Sequence, residues 1–87
     1  MGEINRDQVI AILKRDNVHA RMDDVSMYAD CFMDYREAAD NIGKNGNIVL
    51  HPRTGSPIEN PYIKVKALAM ANLRKIVRLK NVSALWV

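Results

Sequence analysis

The chain has 87 residues, 48% of them apolar, and a formal net charge of +3. That length allows one small core with a thin stability margin and excludes a second. Cys31 is the one cysteine, which excludes an internal disulfide and suits a reducing compartment, and one Cys with two His makes no zinc spacing.

The charge is unevenly placed. Residues 1–42 carry five basic and nine acidic side chains, a net of −4. Residues 43–87 carry eight basic side chains against Glu59 alone, a net of +7. Opposed halves point to a polyanionic partner, to self-association, or to both. The start shows no charged-then-apolar leader and no apolar run nears the ~20 residues of a membrane span, so a protein without membrane partner or export is expected.

The first predicted element is a short helix from Asn5 to about Asp16. Asn5 with Gln8 three residues on approximates a capping box, and Val9, Ile10, Ile12 and Leu13 form its apolar patch. The following NVHARM stretch has no period and reads as a connector, with His19 as a solvated loop residue.

Asp23 and Asp24 place negative charge where the start of a helix favours it. Val25, Tyr28, Phe32, Tyr35, Ala39 and Ile42 then recur at helical spacing, with Cys31 and Ala38 beside them. This predicts a long helix over 25–42, closed by Gly43 or Gly46 in a left-handed cap. Its aromatic series reads as core, and Cys31 as a small apolar packing residue. Asp30, Asp34, Glu37 and Asp40 share the far side. Their spacing makes a solvated stripe rather than a dry pair of catalytic carboxylates.

Between the long helices, Ile48-Val49-Leu50 is β-prone, Pro52 to Pro57 contains a turn, and Ile58 opens a return strand. Lys44, His51 and Arg53 make this ribbon basic. It reads either as a charged surface connector or as a loop that contacts phosphate. Gly43-Lys44 lacks the spaced glycine and the following Ser or Thr of a phosphate-binding P-loop. No nucleophile–base pair stands out, so neither enzyme activity nor a cofactor or metal is expected.

The last predicted helix runs from Asn60 to Lys80, with Asn60 as N-cap and Pro61 at the first helical position. Tyr62, Val65, Ala69, Leu73, Ile76 and Val77 share its apolar side, and Lys64, Arg74, Lys75 and Arg78 the opposite side. The expected architecture is mainly α: two long amphipathic helices plus a short N-terminal helix, joined by a small β-ribbon-like loop, as one domain over 1–87. The cations Lys44, Arg53, Lys64, Arg74, Lys75 and Arg78 are the candidate DNA contacts, holding backbone phosphates rather than reading bases. Asp30, Asp34 and Glu37 are candidates for an oligomer interface with the basic side of the last helix. Leu85 and Trp86 either anchor a neighbour or fold back onto their own core.

One order of features also matches a known family. An aromatic-bearing helix ends in ADNIGKNG, a β-prone stretch with a Pro-x-x-Gly turn follows, and Asn60-Pro61 opens a helix with Ala69, Leu73, Arg74 and Leu79. Over about Asp24 to Val82 this resembles the small terminase subunits of tailed phages and prophages, with their G-x-x-V…G…NP…A…LR…L pattern. The resemblance implies a non-catalytic protein of the host cytoplasm. It would oligomerise, often as a ring, bind double-stranded phage DNA and hand it to a large subunit with ATPase and nuclease activity. The alternative is a structural oligomerisation module of a prophage without direct DNA binding. Where the family usually continues with a Leu-Gly-Leu-Thr-Pro-like turn, this chain reads LKNVSALWV. A minimal version, a truncated prophage remnant and a relative with another task all accommodate that departure.

Overall fold

A computed structural model describes residues 4–86. Helix α1 spans Arg6–Asp16 and begins with a complete capping box. Asn5 Oδ1 accepts from the Gln8 N–H at 2.9 Å, and Gln8 Oε1 accepts from the Asn5 N–H at 2.8 Å. Val9 and Leu13 are buried, while Ile10 and Ile12 are partly covered. The connector 17–21 leads into α2, Met22–Asn45. Asp23 and Asp24 lie in its first turn, where they favour the dipole without capping it.

Helix α2 passes through Gly43 and ends at Gly46, whose φ of 83° suits a residue without Cβ. Its ψ of 179° is extended, so the anticipated left-handed helical cap is not the one formed. Strands β1 (Ile48–Leu50) and β2 (Pro57–Glu59) pair antiparallel, with Val49 opposite Ile58. Pro57 starts its strand, a position where a missing N–H is tolerated. The turn between them is closed by His51, whose Nδ1 accepts from the N–H groups of Arg53 (3.1 Å) and Thr54 (3.4 Å).

Asn60 joins the ribbon to both long helices. It is 1% exposed, its Nδ2 donates to Asn41 Oδ1 (3.0 Å) and to the Gly46 carbonyl (2.9 Å), and its Oδ1 accepts from the Tyr62 N–H (3.0 Å). The capping role expected of Asn60 is therefore met. Pro61 already has helical angles ahead of α3, Tyr62–Lys75.

Helix α3 stops at Lys75 rather than running on to Lys80. Ile76 turns out of it with φ −91° and ψ 91°, which redirects Leu79 and Leu85 into the core. A helix continued past Lys75 would carry those leucines onward along its axis and leave them in water. Burying each is worth about 1.5–3 kcal/mol, more than the backbone bonds of a frayed last turn. Val77 is consequently 80% exposed and Val65 41% exposed, so neither belongs to the buried side expected of it.

Helices α2 and α3 lie antiparallel. Asn41 meets Asn60 at the ribbon end, and Met27 faces Asn72 and Ile76 at the other. Helix α1 lies along the first half of α2, with Arg6 paired to Asp30. The main core sits at that end, built from Val9, Leu13, Val25, Tyr28, Ala29, Phe32, Leu73, Leu79 and Leu85. The ribbon end has only two helices to cover it, and Ile48, Leu50 and Leu68 stay more than 60% exposed there.

The segment after α3 straps the core and finishes in a 3₁₀ turn, Val82–Trp86. Trp86 packs edge-on against Phe32 (ring centroids 4.8 Å apart) and Tyr35 (5.1 Å). Its Nε1–H donates to the Tyr28 hydroxyl at 2.9 Å.

Candidate nucleic-acid interface

Helix α3 contains four cations, Lys64, Lys66, Arg74 and Lys75, and no acidic residue. Its buried side is set by Ala69 and Leu73 against α2, which pushes Lys64, Arg74 and Lys75 into solvent. Lys64 and Lys75 are eleven positions apart, three turns of helix, and so lie on one line about 16 Å long. Between them stand Leu68 and Ala71, with Arg74 and Ala67 alongside. Apolar rather than acidic side chains, with Leu68 itself exposed, fill the space between the cations, so nothing there repels an anionic partner. Lys66 is drawn inward, its Nζ 5.6 Å from the Tyr35 ring centroid.

The six cations expected to bind DNA do not form one cluster. Arg53 sits in the ribbon turn and Lys64 in the first turn of α3, at the same end of the molecule. Arg74 and Lys75 occupy the last turn of α3, and Arg78 follows in the non-helical strap. Lys44 belongs to the last turn of α2 rather than to the ribbon, and its Nζ is 3.0 Å from Asp40. Among the described residues, no carboxylate lies within 4 Å of the charged groups of Arg53, Lys64, Arg74, Lys75 or Arg78. Arg74 and Lys75 also complement the carboxyl-terminal dipole of α3, a purely structural use of charge.

The acidic stripe is partly consumed within the chain. Asp30 pairs with Arg6 and Asp40 with Lys44, whereas Asp34 and Glu37 are exposed without a cation within 4 Å among the described residues. Leu85 is 5% exposed and Trp86 39% exposed, both folded back onto their own core.

Burial and the neighbouring Asp34 and Asp30 push the Cys31 thiol up, disfavouring the reactive thiolate. Among the described residues no three His, Cys, Asp or Glu side chains group to hold a metal ion, and no helix is long and apolar enough to cross a membrane.

No curated protein and no solved structure matches the chain significantly. The family model described as "Phage terminase, small subunit" matches residues 4–79, from the residue before the α1 capping box to Leu79 in the strap. The match thus takes in α1, ahead of the Asp24 at which the sequence resemblance begins. The chain belongs to the phage terminase small subunit family, whose work is in viral DNA packaging.

Proposed function

We propose that this chain is a non-catalytic, DNA-binding small subunit of a packaging terminase, acting in the host cytoplasm. In this reading it folds as one domain, assembles as a homo-oligomer, holds double-stranded phage DNA and presents it to the large ATPase/nuclease subunit. The observation that carries the reading is the outer side of α3: Lys64, Arg74 and Lys75 in solvent, with no acid on the helix. Contacts of this kind hold the phosphate backbone and are strongly salt-dependent. Arg53, Lys64, Arg74, Lys75 and Arg78 together imply a log–log salt slope of about −4.5 per engaged subunit on duplex DNA. Fluorescence anisotropy on phage-end duplex across salt concentrations tests this, and no binding at low salt overturns it.

A second reading, an oligomerisation module without direct DNA contact, is favoured by Asp34 and Glu37. These exposed carboxylates complement the α3 cations of a neighbouring copy, and a repeated heterologous contact closes a ring. Charge reversal at Asp34 and Glu37 separates the readings. If α3 binds α2 of the next copy, the assembly mass falls; if it binds DNA, affinity rises as local repulsion is relieved.

A further inference from the structure

The strap that follows α3 brings together cations that lie far apart in the chain. A concavity of about 370 Å³ at the α1–α2 connector is lined by His19, Arg21, Arg78 and Lys80, with Asp16 and Asp24. Arg78 lines a second groove as well, shared with Lys75 at the end of α3 and with Asp24, which borders both concavities. The cationic outer side of α3 therefore continues through Arg78 into the connector. Arg21 belongs to the half of the sequence with a net charge of −4, so nothing in the linear pattern attaches it to the basic half.

Three features make this a built arrangement. Asn17 fixes Lys80 by its backbone, accepting from the Lys80 N–H at 2.7 Å and donating to the Lys80 carbonyl at 3.0 Å, which leaves the ammonium free to project. The cations have not collapsed onto the carboxylates beside them. Among the described residues, no ion pair within 4 Å links Arg78 or Lys80 to Asp16 or Asp24; Asp16 is instead 3.9 Å from Arg15. Arg21 has only a loose contact with Asp23, 3.8 Å between two largely exposed groups, which costs little to exchange for a phosphate. The start of α2 is not the attraction, because Asp23 and Asp24 already occupy its favourable dipole position.

We infer that Arg21 and Lys80, with Arg78, form a second backbone-phosphate contact of the DNA interface, at the opposite end of α3 from Lys64 and Arg53. This rests on the DNA-binding reading and extends it: the duplex follows α3 and passes its next phosphates to the connector. Lys64 to Lys75 covers about 16 Å, close to five base-pair rises, so connector contacts fall on a further stretch of the same duplex.

The test compares the wild type, Lys64→Gln, and the double variant Arg21→Gln/Lys80→Gln on two unrelated duplexes, by anisotropy against salt concentration. Both substituted side chains are exposed, and far-UV circular dichroism with a thermal melt checks that the variant stays folded. The inference expects the double variant to weaken binding equally on both duplexes and to flatten the log–log slope by about 1.8, two contacts' worth. A slope equal to wild type in the double variant, while Lys64→Gln flattens it, overturns the inference and leaves the α3 reading standing. No binding by the wild type at low salt overturns both. Titration with inorganic phosphate at constant ionic strength distinguishes the source. Saturable phosphate binding lost in the double variant, with the DNA slope unchanged, makes this a free-anion pocket and overturns the DNA contact.

Discussion

Asn17 holds Lys80 from both sides across 63 residues of sequence: Oδ1 accepts from its N–H and Nδ2 donates to its carbonyl. The same Nδ2 also donates to the Leu13 carbonyl at 2.9 Å, so one buried amide ends α1 and fastens the strap. Through this clamp, the residue that terminates the first helix decides where the last cations of the chain stand.

Asn17→Ala removes all three bonds and leaves the Leu13 carbonyl without this partner. At roughly 1 kcal/mol per bond, softened where water reaches Lys80, the loss of stability is about 2–3 kcal/mol. Asn17→Asp at neutral pH is at least as damaging, because a carboxylate oxygen would face two carbonyls it cannot donate to. Urea midpoints of both variants check this, and the measurement expects an unchanged m value.

Asn60 plays the matching part at the ribbon end. Asn60→Ala loses two donated bonds and the cap on Tyr62, a cost of about 2–4 kcal/mol for a fully buried amide. Asn60→Asp keeps the cap but loses both donors. Amide hydrogen exchange of β1 and β2 should accelerate in both variants before that of Val25 to Phe32, because Asn60 ties down the ribbon end of the molecule, away from the main core.

Trp86 separates packing from assembly. Trp86→Phe keeps an edge-on ring against Phe32 and Tyr35 but cannot donate to the Tyr28 hydroxyl, a loss of about 0.5–1.5 kcal/mol. Trp86→Ala loses the ring contacts too and costs about 3 kcal/mol, near the low end for a large aromatic because the indole is partly exposed. Light scattering should give the same assembly mass for wild type and Trp86→Phe. A smaller mass for Trp86→Phe would assign the indole to a subunit contact.

Cys31 should alkylate slowly. Its thiol is shifted upward by burial first and by Asp34 and Asp30 second, so at any pH below the shifted value less thiolate is present than in a free cysteine. Iodoacetamide rates measured from pH 7.5 to 10 should lag those of an unfolded control. They should also keep rising after the control levels off. Asp34→Asn narrows that gap.

Local chemistry made much of this molecule readable in advance. The Asn5–Gln8 box, the Asn60-Pro61 helix start, the Ile48–Leu50 strand with its return at Ile58, and the apolar series from Val25 through Phe32 depend on neighbours within a few positions. Sequence spacing states such relations directly. The paired charges were less accessible. Lys44 follows Gly43, a residue that marks a helix end in sequence, whereas α2 extends through Asn45 and places Lys44 one turn from Asp40.

The end of the chain had to be decided in three dimensions. Ile76, Val77 and Leu79 keep a helix-like spacing after Leu73, and no proline or glycine interrupts it. Only the uncovered core between α1 and α2 gives Leu79 and Leu85 a better place than helical continuation would. That tertiary preference breaks α3 at Lys75, turns Val77 outward, sets Lys80 in the grip of Asn17 and brings Arg78 and Lys80 beside Arg21. The sequence by itself determined the helices, the ribbon and the cationic character of its second half, because those follow from side chains and their near neighbours. Where the cations gather was determined by hydrophobic burial between residues more than fifty positions apart, such as Phe32 and Trp86 with ring centroids 4.8 Å apart. No local spacing encodes a contact of that kind.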